Sequence, residues 1–137
     1  MILPITGVVR DGSVPAGGIA QLVPTVQPIS IPRGEDTTLK LSVKKQDGTA
    51  QNLTGTLKLG IRKFRHSTSA ELTKTGTITS PAGGLVEFTL TSAELIGLVE
   101  HFEYLWDVQW TDGAAKRWQL VLASPLLVLP IVHRPGE

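Results

Sequence analysis

The sequence predicts an all-β protein: an antiparallel Ig-like β-sandwich of six to eight strands, with one short helical turn and an extended N-terminal arm. Three observations predict it. After residue 33, apolar and polar residues alternate at period two through most of the chain, as strands buried on one face require. Closely spaced Asp-Gly, Pro and Gly-Gly signals punctuate those runs. Five of the nine prolines (Pro4, Pro15, Pro24, Pro28 and Pro32) fall in the first 32 residues, where only Arg10 and Asp11 are charged. The chain therefore divides into an arm, residues 1–32, and a sandwich domain, residues 33–137.

In the arm, proline fixes φ and removes a backbone donor, so neither a helix nor a central strand is expected. Yet Ile2, Leu3, Ile5, Val8, Val9, Ile19, Leu22, Val23 and Val26 are too apolar for a solvated linker. They form the candidate partner-binding set. An extended segment with such teeth docks on its own domain or on a neighbouring subunit, and the neighbour is favoured.

In the sandwich, Thr38 to Lys45 places Leu39, Leu41 and Val43 on one face, and Asp47-Gly48 turns the chain. Thr56 to Lys63 repeats the pattern with Leu57, Leu59 and Ile61. After a polar loop, Glu71 to Thr79 reads as a Thr-rich edge strand. Pro81 to Gly84 turns into Leu85 to Leu90, with Val86, Phe88 and Leu90 on one face. Thr91-Ser92-Ala93-Glu94 has the form of a capping box and opens a short helix. Phe102 to Thr111 alternates Phe102, Tyr104, Trp106, Val108 and Trp110, and Asp112-Gly113 is a hairpin signal before Lys116 to Leu122. A last run, Leu126 to Val132, contains Pro130 and is expected at an edge.

The 137 residues, 41% hydrophobic and 18% charged, suffice for one cored domain and not two. The absence of Cys excludes disulfides, thiolate zinc sites and cysteine nucleophiles. No run approaches the roughly 18 apolar residues of a membrane span, and Met1 to Ala20 lacks the marks of a signal peptide. A net charge of +1 argues against a dedicated nucleic-acid binder. That total hides an asymmetry: residues 33–75 carry nine Lys/Arg against four Asp/Glu, and residues 76–115 carry six carboxylates and no Lys/Arg. Blocks of +5 and −6 predict oppositely charged faces, able to guide copies or partners together.

Enzymatic chemistry finds no foothold. His66, His101 and His133 stand at no metal-ligand spacing, and Glu100-His101 with Glu103 reads as a solvated strand entrance. Asp107 lies among aromatics, but alternation turns it away from their face. No nucleophile elbow, phosphate loop or dinucleotide fingerprint occurs. Trp106, Trp110 and Trp118 could stack on sugars, but their register with aliphatic residues favours the core. Arg62-Lys63-Phe64-Arg65-His66 is a basic cluster at a strand end, where solvated charge is usual.

Several motifs recur as an ensemble: Ile29-Ser30-Ile31-Pro32-Arg33-Gly34-Glu35-Asp36, then Leu39, Leu41 and Val43, then Asp47-Gly48 and Asn52-Leu53-Thr54-Gly55, then Ile61-Arg62. Ser92-Ala93-Glu94 and Tyr104-Leu105-Trp106-Asp107-Val108 with Asp112-Gly113 follow. In this order they resemble the small β-sandwich domains of tailed-bacteriophage virions, notably the N-terminal domain of the baseplate upper protein family and related tail accessory proteins. The resemblance spans about residues 29–132 and excludes the arm; larger family members continue into fibre or receptor-binding regions that this chain lacks. It implies a non-enzymatic virion component, assembled in the cytoplasm of a bacterial host. The expected station is tail, baseplate or fibre anchor, with partners among other virion proteins and copies of itself, and no cofactor. A capsid decoration (cement) protein is the alternative, and a carbohydrate-binding module for host attachment is the alternative from another class.

Overall fold

A computed structural model describes residues 1–18 and 20–130. It contains nine strands: β1 (Ile2–Val9), β2 (Ile29–Pro32), β3 (Thr37–Lys45), β4 (Thr56–Arg62), β5 (Leu72–Thr75), β6 (Thr77–Ser80), β7 (Leu85–Leu90), β8 (Glu103–Thr111) and β9 (Arg117–Leu129). One helical turn, α1 (Ser92–Leu95), lies between β7 and β8. The strands form two sheets, ordered β1-β3-β7-β6 and β2-β9-β8-β4-β5. The predicted alternations hold where they were sharpest. Leu39, Leu41 and Val43, Leu57, Leu59 and Ile61, Val86, Phe88 and Leu90, and Tyr104, Trp106, Val108 and Trp110 all face one core between the sheets.

Three expectations need correction. Residues 2–9 of the arm are regular structure: β1 pairs parallel with β3, from Ile2 against Thr38 to Val9 against Lys45. Pro4 is tolerated because β1 is an edge strand. β2 likewise pairs parallel with β9, so residues 1–32 contribute a strand to each sheet. Finally, Lys116 to Leu122 and the run from Leu126 are one strand, β9, which lies between β2 and β8 rather than at an edge. Pro130 follows its last residue, where a missing donor costs no ladder bond; Ile131 and Val132 lie outside the described residues.

The motif residues join each other across the fold. Asp36 Oδ1 accepts the Ser92 N–H at 2.7 Å, and Arg33 reaches the Ile96 carbonyl at 2.7 Å and Glu100 at 3.1 Å, so the Arg33–Asp36 corner grips α1. Thr91 and Glu94 form the predicted reciprocal capping box. At the opposite end, the Thr54 carbonyl accepts the Trp110 indole N–H at 2.6 Å, and Thr54 Oγ1 accepts the Gly113 N–H at 3.1 Å. The predicted hairpin forms, but its left-handed residue is Ala115 rather than Gly113. Asp112 Oδ1 organises this five-residue loop by accepting the N–H groups of Ala114 and Lys116.

β5 and β6 are one course of chain passing from one sheet to the other at Gly76. A side chain there would meet Val86 Cγ1 at 2.6 Å and the Phe88 ring at 2.9 Å, so only glycine lets the strand cross so near the core. Gly55 is constrained differently: its φ is +80°, and a Cβ would sit 2.1 Å from the Thr111 carbonyl oxygen. Gly48 has φ +88° with open space around it. Gly48→Ala therefore carries only the left-handed backbone cost, about 1 kcal/mol. Gly55→Ala adds a collision with backbone and is expected to cost about 3 kcal/mol, the two being compared by urea denaturation.

Candidate interaction surface

The stretch from Arg10 to Pro28 leaves one sheet at β1 and enters the other at β2, and its described residues cross a side of the sandwich without forming a strand. Two glutamines hold it. Gln46, almost buried at the end of β3, accepts the Gly12 N–H on Oε1 at 2.8 Å and donates from Nε2 to the Leu22 carbonyl at 3.1 Å. Its own carbonyl accepts the Leu22 N–H at 2.9 Å. Beside it, Asp11 Oδ1 accepts from the Ser13 N–H and Oγ, and from the Gln46 N–H. Burial alone would raise the Asp11 carboxyl, but these bonds outweigh it and hold the group below its ordinary range.

Gln27 holds the other end. Its N–H donates to Ser124 Oγ at 2.8 Å and its carbonyl accepts the Trp106 indole N–H at 3.1 Å. Its side-chain amide spans Thr6 on β1, accepting the Thr6 N–H at 2.9 Å and donating to the Thr6 carbonyl. Leu122 N–H adds a bond to the Thr25 carbonyl at 3.2 Å. The segment is thus fixed to its own domain by backbone bonds, leaving its side chains to project.

The nine arm residues consequently divide. Ile5, Val8 and Val9 are buried in this chain, and Leu3 packs against the core. Ile5, Val8 and Val9 are thus taken off the surface by their own domain, and Leu3 only in part; the register with β3, unseen in the sequence, is the reason. Ile2 is exposed on the outer face of β1, and Ile19 lies outside the described residues. Leu22, Val23 and Val26 project, 38%, 48% and 51% exposed. Val14, which the sequence reading passed over, is 72% exposed and joins them. It stands alone in sequence between Ser13 and Pro15, so no periodicity marks it.

The other residues weighed from sequence are placed as follows. Trp106 and Trp110 are 1% and 4% exposed. Trp118 is half-buried, stacked on Trp110, bonded to Asp112 and covered by the Lys116 ammonium at 4.3 Å from its ring. The three indoles therefore form no sugar-stacking platform. Among the described residues, no group of three or more His, Asp or Glu gathers as a metal site, and no helix is long and apolar enough to cross a membrane. His133 lies outside the described residues. Within the basic cluster, Phe64 stacks on His66 and packs edge-on to Phe102, while Lys63 and Arg65 are exposed.

Asp107 does point out of the core, as alternation predicted, on the outer face of the larger sheet beside Gly60 and 3.2 Å from Gln119 Nε2. Leu105, Ala123 and Phe64 help line a small hollow there of about 110 Å³. Partial burial raises its carboxyl above the ordinary range, opposed by the Gln119 bond and by Arg62.

No protein-family profile matches the chain, and no curated protein does. Among solved structures, the chain is similar to the N-terminal domain of phage TP901-1 ORF48, at 8% identity and a TM-score of 0.48, over 94% of this chain and 99% of that one.

Two outcomes are expected. Gln46→Ala removes both side-chain bonds to the crossing segment, so amide hydrogen exchange at Gly12 and neighbouring residues should accelerate while the β8 and β9 amides keep their protection. For Asp107, a raised folded pKa means the charged form costs stability above that pKa, and the cost fades as pH falls through it. Asp107→Asn should raise the denaturation midpoint at neutral pH, with the gain shrinking toward about pH 4.

Proposed function

We propose that the chain is a structural component of a bacteriophage virion, a tail, baseplate or fibre-anchoring accessory protein that assembles in multiple copies. The observation that carries this reading is the crossing segment: Val14, Leu22, Val23 and Val26 stand exposed on backbone held to its own domain. Apolar side chains presented on fixed backbone lose little entropy when a neighbour covers them, so their burial contributes almost in full. At about 25 cal/mol per Å², covering several hundred Å² of such surface contributes several kcal/mol per contact. Repeated around a ring or lattice, contacts of that size hold copies in place.

The sequence resemblance supplies the phage context, and its motifs serve here as corners of the sandwich, leaving the crossing segment free for a different task. Its expected partners are other virion proteins and further copies of this chain, and it carries out no catalysis. A capsid decoration protein would use the same apolar row against capsomers. The host-glycan reading is weakened by the buried tryptophans.

Deleting residues 2–28 would remove β1 with the buried Ile5 and Val9, and so would unfold the domain rather than test the contact. The informative variant replaces only exposed side chains: Leu22→Ser, Val23→Ser and Val26→Ser together. Its thermal midpoint should match the natural chain, while its occupancy in purified particles, counted by quantitative mass spectrometry, should fall severalfold. Undiminished occupancy would overturn the assembly role of this row.

A further inference from the structure

The two lateral edges of the sandwich are treated differently. On the β1 and β2 side, Pro4, Pro28 and Pro32 remove backbone donors, and the Gln27 side chain occupies both polar groups of Thr6. Those are devices that stop one sheet from pairing with another. Along the opposite side runs the continuous course Leu72–Thr75, Gly76, Thr77–Ser80, which carries neither a proline nor a side chain folded over its backbone, its one irregularity being a register shift at Thr79 near the far end. No proline interrupts it. Its single charge, Lys74, is turned inward onto Glu94, 3.0 Å away at α1. β5 pairs only with β4 and β6 only with β7, so alternate N–H and C=O groups of both strands face outward.

Side-chain exposure alternates without a break through the crossing: Thr73, Thr75, Thr77 and Thr79 are exposed, and Leu72, Lys74, Gly76 and Ile78 are partly buried. The sequence is also symmetric about its midpoint. Reading outward from Gly76 gives Thr on both sides, then Lys74 and Ile78, then Thr again. In an antiparallel pair of two copies related by a twofold axis at Gly76, Thr75 of each copy faces Thr77 of the other, and Thr73 faces Thr79. Threonine pairs are among the favourable cross-strand combinations, and β-branched side chains suit the extended backbone. Glycine facing glycine leaves the centre open for close approach.

We propose that this edge pairs with the same edge of a second copy of the chain, forming an isologous twofold dimer in register about Gly76. Each β5 would then lie beside the other copy's β6, so the five-stranded sheet of one copy continues into the four-stranded sheet of the other, twice. This surface lies on the β5–β6 side, apart from the crossing segment, and the pairing rests on the edge alone, whichever partner the apolar row meets.

The test is sedimentation velocity over a concentration series on the natural chain and two double variants. Thr75→Lys with Thr77→Lys sets lysine against lysine twice across the axis and is expected to weaken dimerisation by about tenfold or more. Thr75→Lys with Thr77→Glu sets opposite charges across the same axis and should restore it. Because the protein has no cysteine, a second measurement is free of background: a mixture of Thr75→Cys and Thr77→Cys chains should form a disulfide-linked heterodimer faster than either chain alone. A chain that stays monomeric at all concentrations, a dimer indifferent to the double lysine, or cross-linking without preference for the mixture would each overturn the proposal. Loss of particle occupancy in the crossing-segment variant with dimerisation intact would leave the two surfaces independent, as proposed.

Discussion

One glutamine closes the sandwich. All four polar groups of Gln27 are engaged: N–H to Ser124 on β9, carbonyl to the Trp106 indole on β8, and both ends of the side-chain amide to Thr6 on β1. Edge strand, crossing segment and core tryptophan are thereby tied at one point. Trp106 could not be buried at low cost without an acceptor for its N–H, and the segment could not cross the open side without partners for its backbone. β1 could not end one sheet safely with Thr6 unpaired. The close approach of β1 to β9, where a Cβ on Gly7 would lie 2.9 Å from Leu120 Cβ, depends on the same closure.

The charge asymmetry shows how topology redistributes what a linear sequence separates. Blocks of +5 and −6 suggested oppositely charged faces. Instead, the chain's antiparallel course lays β3 of the basic block beside β7 of the acidic one, and β4 beside β8. Lys40 meets Glu87 on adjacent strands, Lys74 meets Glu94 and Arg33 meets Glu100, so ion pairs join the blocks inside one molecule. The exposed Lys40–Glu87 pair contributes little to stability, typically about 0–1 kcal/mol, while the other two are part-buried. Their effect is on the surface: three of the six carboxylates of the acidic block sit beside a cation of the basic block, so the two blocks do not form separate faces.

Legibility followed the strength of local patterning. Period-two runs such as Leu57–Ile61 and Tyr104–Trp110 were readable because a strand with one buried face must alternate, and the Thr91–Glu94 cap because its two bonds are made within four residues. The arm misled for an equally physical reason. Prolines argue against a central strand, and β1 is not one; but an edge strand paired parallel to residues 36 positions further on leaves no local mark. Of the arm's exposed apolar side chains, the sequence supplied Leu22, Val23 and Val26. It also included Ile5, Val8 and Val9, because an apolar residue bound for its own core looks the same as one bound for a partner.

The sequence by itself determined the all-β class, most inward-facing residues, the helix cap and the turns at Asp47-Gly48 and Asp112-Gly113. These rest on side-chain periodicity and on backbone chemistry within a few residues. Tertiary structure alone decided that β1 and β2 belong to the sandwich, that Leu126–Leu129 lies between neighbours, and that Gly76 carries one strand between two sheets. It alone sorted the arm's apolar residues into core and surface, because that depends on which distant strand each one meets.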